Sequence, residues 1–172
     1  MRYYLDTEFD ETRLKMISIG LVSQDNREFY AVNHSYERVM AGDWLQANVI
    51  PQLFNLEVTK KSGIYQGREP AIAREIMSFL GDDEDAQFWG YYPAWDIVMV
   101  HNLFGGYQGV LAQGGKVPLN CYDLKQFAKS CGVTSSLNTV VPQFKPEHHA
   151  LTDARWNKFV HEQLIFQHGK EI

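Results

Sequence analysis

The chain has 172 residues, 45% hydrophobic and 22% charged, with a formal net charge of −5. That length fits one domain able to bury its own core, and the mixture excludes a disordered chain. The acid excess argues against a protein that coats nucleic acid with a basic stripe, and no apolar run approaches the roughly 18 residues that span a bilayer.

Arg2 to Leu5 is a β-favouring run ending at Asp6, and Leu14 to Val22 and Glu28 to Val32 read as two further strands. Asp10 to Arg13 has turn chemistry, so an antiparallel meander is expected to open the fold. Trp44 to Phe54 has helical spacing interrupted by Pro51, and Pro70 opens a helix that Gly81 ends. Gln87 to Tyr92 reads as a fourth strand broken by Pro93, followed by a helix from Trp95 to about Leu103. The Gly-rich stretch up to Pro118 reads as a loop, Leu119 to Tyr122 as a fifth strand, and Asp123 as the cap of a helix through Lys129. Ser135 to Pro146 has no regular pattern, and a last helix is expected from about His149 to Phe166. Strands first and alternating helices and strands later predict an α/β domain over residues 1–172, with a mixed five-stranded sheet whose first three strands are antiparallel. Cys121 and Cys131 lack metal or disulfide spacing and read as buried thiols of a reducing cytosol; a cytoplasmic protein without membrane contact is the expectation.

Three segments carry chemistry. In Asp6-Thr7-Glu8 the two acids lie two apart on a strand and point to one face, an arrangement that repels itself unless a hard cation is bound. A lone pair of this kind is more often just an acidic strand end. Asp96, among large apolar residues at a helix start, has N-cap duty as its ordinary explanation. Asp153 falls in the first turn of the last helix between Ala150 and Ala154, whose small side chains let that helix approach the sheet. His148 precedes the helix, in a loop suited to a movable general base, since histidine exchanges protons near neutral pH. Taken together, the three are less ordinary than any one alone. A polyanionic substrate would then require bound cations to reverse the sign of the pocket, and the footprint would be small.

In order and setting these segments resemble the DEDDh branch of the DEDD 3′→5′ exonucleases, and most closely a small actinobacterial and phage-type exoribonuclease family. The matching stretches are Tyr4-Leu5-Asp6-Thr7-Glu8-Phe9, Ile17-Ser18-Ile19-Gly20-Leu21-Val22 and His148 through Ala154. The resemblance implies a ribonuclease-H-like fold and two divalent cations, Mg2+ or Mn2+, held by Asp6, Glu8, Asp96 and Asp153. It also implies His148 as the base, release of nucleoside 5′-monophosphates from the 3′ end of single-stranded nucleic acid, RNA preferred, and pairing as a homodimer. A DNA exonuclease, a catalytically silent interaction module and a small phosphoester hydrolase on the same fold are the competing readings. The chain departs from the pattern in having Phe9-Asp10 where many relatives have Thr-Gly, which makes Phe9, with Thr7 and Trp95, a candidate substrate contact. His149 occupies the slot where the sister branch carries tyrosine, but the register of the following residues favours His148.

Gly105 to Lys116 resembles a phosphate-binding loop but fails its template, because Gly115 stands where lysine is required. Trp44, Trp89, Tyr92 and Trp95 are candidates to line a base-stacking groove, though most are expected in the core, and Lys60, Lys61, Arg68 and Arg155 are weak candidates for phosphate contact.

Overall fold

A computed structural model describes residues 1–169. The aromatic start of the chain extends into strand β1, Arg2–Asp10, which pairs antiparallel with β2, Lys15–Ser23; β2 in turn pairs antiparallel with β3, Glu28–Asn33. The first strand therefore runs past Leu5 and carries Asp6 and Glu8 inside the sheet, not beyond its end. A register shift between Glu8 and Phe9 interrupts the β1–β2 ladder. Irregularities of this kind bend a strand and re-aim its side chains.

Strands β4, Tyr65–Gly67, β5, Gln87–Gly90, and β6, Cys121–Asp123, complete a mixed sheet of order β4-β3-β2-β1-β5-β6. The sheet has six strands where five were expected. The extra one is a three-residue edge strand parallel to β3, too short to leave an alternating pattern in the sequence. Helices α1, Asp43–Asn48, α2, Glu69–Leu80, α3, Ala94–Leu103, α4, Tyr107–Leu111, α5, Leu124–Ser130, α6, Leu137–Val140, and α7, Ala150–His168, cover it. Pro51 splits the predicted Trp44–Phe54 helix into α1 and a 3-10 turn, Ile50–Gln52. The stretches expected to be irregular hold α4 and α6. No helix of the described residues is long and apolar enough to cross a membrane.

The pleat sorts β1 between two cores. Tyr3 and Leu5 face α2 and α3 with Ile72, Ile76, Met99 and Val100, whereas Tyr4 faces the side of α7 with Trp89, Trp156 and Val160. Asp6 and Glu8 continue the Tyr4 face and Thr7 continues the Leu5 face. Helix α7 lies across β1 and β2 and is fastened there by Asn157, whose Nδ2 donates to the Leu5 carbonyl at 2.9 Å. Cys121 and Cys131 are free, but each is only partly buried. Of the four aromatic residues expected mostly in the core, only Trp89 is fully enclosed; Trp44, Tyr92 and Trp95 are more than half exposed.

Candidate active site

Asp6 and Glu8 project from β1 toward the first turn of α7, where Asp153 meets them. One carboxylate oxygen from each of the three lies within 4.8 Å of the others. Glu8 and Asp153 are buried and Asp6 is partly accessible. The small residues Ala150 and Ala154 are fully buried at this contact, as their positions in the sequence predict.

Asp96 reaches the group from the opposite core. Pairing between β1 and β5 stops at Tyr4 and Trp89, so β5 does not extend alongside Thr7. The Thr7 N–H and hydroxyl instead donate to Asp96 Oδ1 at 2.8 and 2.7 Å. The N-cap of α3 is Pro93 and not Asp96, which sits in the first turn with its carboxylate directed at the strand. Asp96 is not in the set of three ligand oxygens. Its charge nevertheless acts on Asp6 and Glu8.

The two histidines before α7 separate cleanly. His149 is the N-cap: its Nδ1 accepts from the Leu151 N–H at 3.3 Å, its ring stacks on Tyr30 at 4.4 Å, and it is 1% exposed. His148 is half-buried, adopts a left-handed φ of 62°, and lies edge-on to Trp44 at 4.8 Å. Its backbone N–H donates to Asp153 Oδ2 at 3.1 Å, while Gln143 Nε2 donates to Oδ1 of the same carboxylate at 3.0 Å.

Among the described residues no lysine, arginine or histidine forms an ion pair with Asp6, Glu8, Asp96 or Asp153. Burial first, then the charges of Asp96, Asp153 and Glu8, holds Asp6 well above the usual carboxylate range. Burial and the charges of Asp153 and Asp96 do the same to Glu8. Burial pushes Asp96 up to about 6 against the pull of the two Thr7 bonds. Asp153 is raised by burial, offset in part by Gln143 and His148. Four acids in this condition do not ionise together in a dry pocket unless cations join them. An all-oxygen donor set is the kind that hard divalent cations accept.

A cleft of about 490 Å³ opens beside the acids, lined by the end of β1 and the turn after it, Thr7 to Thr12, and by Gly42 to Leu45. Phe9 forms part of its floor and lies 6.2 Å from Trp95, whose ring is half exposed. Thr7 borders the cleft, but it is buried and its hydroxyl is committed to Asp96. Of the aromatics offered for a base-stacking groove, Trp44 lies on the cleft wall; sequence reasoning missed Gln143, and nothing in the pattern around it signals its contact. Arg155 is removed from the candidate phosphate contacts by its paired bonds to Glu28, both at 2.9 Å, and a third to the Val58 carbonyl.

Residues 1–165 match the family described as the 3'-5' exoribonuclease Rv2179c-like domain. Two relatives from Mycobacterium tuberculosis are each 31% identical over 159 residues, covering 90% of this chain and 88% of their own length. They are 3'-5' exoribonuclease Rv2179c of strain ATCC 25618 / H37Rv and 3'-5' exoribonuclease MT2234.1 of strain CDC 1551 / Oshkosh.

Proposed function

The chain belongs to the 3'-5' exoribonuclease Rv2179c-like family, and from that premise we propose that it is a cytoplasmic, divalent-metal-dependent 3′→5′ exoribonuclease that releases nucleoside 5′-monophosphates. The observation that carries the reading is the convergence of Asp6, Glu8 and Asp153 within 4.8 Å, with the charge of Asp96 acting on them and, among the described residues, no cationic side chain ion-paired with them. Asp6, Glu8 and Asp153 would hold one cation, and Asp6 with Asp96 would hold a second, Mg2+ or Mn2+. When bound, such a pair supplies charge stabilisation to the attacking and leaving oxygens of an in-line displacement.

The chain's own groups do the rest. His148 lies on a loop tied to Asp153 through its backbone N–H, with its ring against Trp44 of the cleft wall, and would act on a water aligned on the terminal phosphodiester. It accepts that water's proton as the oxygen–phosphorus bond forms. The bond from phosphorus to the 3′-oxygen of the preceding nucleotide breaks, and that oxygen takes a proton from solvent and leaves as a hydroxyl, while His148 returns its proton to solvent. Positioned proton transfer of this kind is worth about 10²–10⁴ in rate. Phe9, Trp95 and Trp44 offer aromatic faces for stacking unpaired bases, which favours a single-stranded 3′ end over a duplex. A second copy of the chain would complete the homodimer that the family resemblance implies.

The test uses single-stranded RNA and DNA labelled at the 5′ end, incubated with Mg2+, Mn2+ or EDTA. Stepwise shortening from the 3′ end, faster on RNA, present only with metal and absent in Asp6→Asn, is the expected result. Internal cuts, or no cleavage, overturn the reading; equal shortening of DNA overturns the RNA preference.

A further inference from the structure

We propose that Gln143 is a positioning residue for the cation site, holding the Asp153 carboxylate through a relay that starts at Asn138; the inference rests on the two-cation reading above. Gln143 Nε2 donates to Asp153 Oδ1 at 3.0 Å, and Gln143 Oε1 accepts from Asn138 Nδ2 at 3.2 Å. The two contacts fix the amide's orientation, because its donor end is committed to the acid and its acceptor end to Asn138. The second Asp153 oxygen is held by the His148 N–H.

A carboxylate's terminal torsion is broad and roughly two-fold, so an Asp with one anchor swings easily. Asp153 has one anchor on each oxygen. Each oxygen retains a free acceptor position, and these remain for a cation shared with Asp6 and Glu8. The Gln143 anchor is neutral, so it steadies the acid without adding a charge that would compete for the ion. Partners of this kind around a metal ligand are worth about 10–100-fold in affinity or activity.

The segment bearing Gln143 is strapped to α7 independently of the amide. The Trp156 indole donates to the Val141 carbonyl at 3.2 Å, and the Phe144 and Phe159 rings lie 5.5 Å apart. Replacing Gln143 therefore removes the relay and leaves the strap in place.

Titration calorimetry with Mn2+ alone, at neutral pH and without RNA, tests the assignment. Gln143→Leu is expected to raise the Mn2+ Kd at least tenfold, and Asn138→Ala to raise it by a smaller factor. With Mn2+ raised to saturation, Gln143→Leu should recover most of kcat with KM for RNA unmoved. An unchanged Mn2+ Kd in Gln143→Leu overturns the proposal, and so does a raised KM with unchanged metal affinity, which would make Gln143 a substrate contact. Absence of Mn2+ binding by the wild-type protein overturns the two-cation reading itself and the relay with it.

Discussion

Gly20 on β2 lies directly beneath Ala150 at the start of α7: a methyl group on Gly20 would sit 2.5 Å from the Ala150 carbonyl carbon and oxygen. Gly20 is also the cross-strand partner of Asp6. A very close approach of helix to sheet thus occurs beside the acids that must meet across it. Gly20→Ala is expected to destabilise the protein by about 1–3 kcal/mol, the usual cost of overpacking. Because α7 must lift off the sheet, it should also lower activity by about 10²-fold, the consequence of misplacing catalytic groups by about 1 Å. Thermal melts and initial rates check both, and wild-type activity in this variant would show that the spacing of Asp153 from Asp6 is not critical.

His148 and His149 are adjacent, yet only His149 is built into the core. His148→Ala is expected to cut kcat by about 10²–10⁴-fold with little change in melting temperature. His149→Ala should do the reverse, since it removes an N-cap worth about 1 kcal/mol and the stacking on Tyr30, while much activity remains. Equal loss of activity from both, measured at saturating metal, would contradict the assignment of His148 as base.

Much of this arrangement was legible in the sequence, and what was not has physical reasons. The face shared by Asp6 and Glu8 follows from the pleat, and the approach of Asp153 follows from Ala150 and Ala154. The Pro70 and Gly81 boundaries of α2 and the Asp123 cap of α5 were equally plain, since each is fixed by the local chemistry of one residue. The contact that aims Asp96 at the strand was not legible, because its partner Thr7 is 89 positions away and no local pattern encodes a contact at that separation. The same holds for Gln143, which lies in a segment without periodicity. For Trp44 the sequence left groove and core both open, because composition favours burying tryptophan, whereas α1 is a short helix with no buried residue of its own.

Trp44 is 56% exposed, forms part of the cleft wall, and packs edge-on against His148. Trp44→Ala is expected to raise KM for single-stranded RNA about tenfold or more, in keeping with about 1–3 kcal/mol per stacked base. Trp44→Phe should restore part of that loss. Stability should hardly move, since so exposed a side chain contributes little burial. A variant with unchanged KM would remove Trp44 from the substrate path.

The acidic group also sets how stability responds to pH and to metal. Asp6 and Glu8 have folded-state pKa values well above their ordinary ones, and Asp96 is raised to about 6. Between the unfolded and folded values the native state binds more protons, so this contribution is complete at low pH and is lost as pH rises through the folded values. His149 acts in the opposite sense: burial lowers it from 6.5 to about 4, so its neutral form favours folding increasingly as pH rises across that interval. Burial lowers His161 in the same way, to about 3. The two effects oppose one another below pH 6.5, and above it the buried histidines no longer respond while the acids still do. Metal-free protein should therefore lose stability as pH rises above 6.5, and Asp6→Asn should flatten that slope and raise the metal-free melting temperature. Saturating Mg2+ keeps the acids ionised and should abolish the decline. At a metal concentration a hundredfold above Kd it should add about 2.7 kcal/mol, an increment that is small in Asp6→Asn. Calorimetric melts with Mg2+ or EDTA at each pH measure these effects, and a metal-free protein whose stability keeps rising above pH 6.5 would mean that these carboxylates do not strain the empty fold.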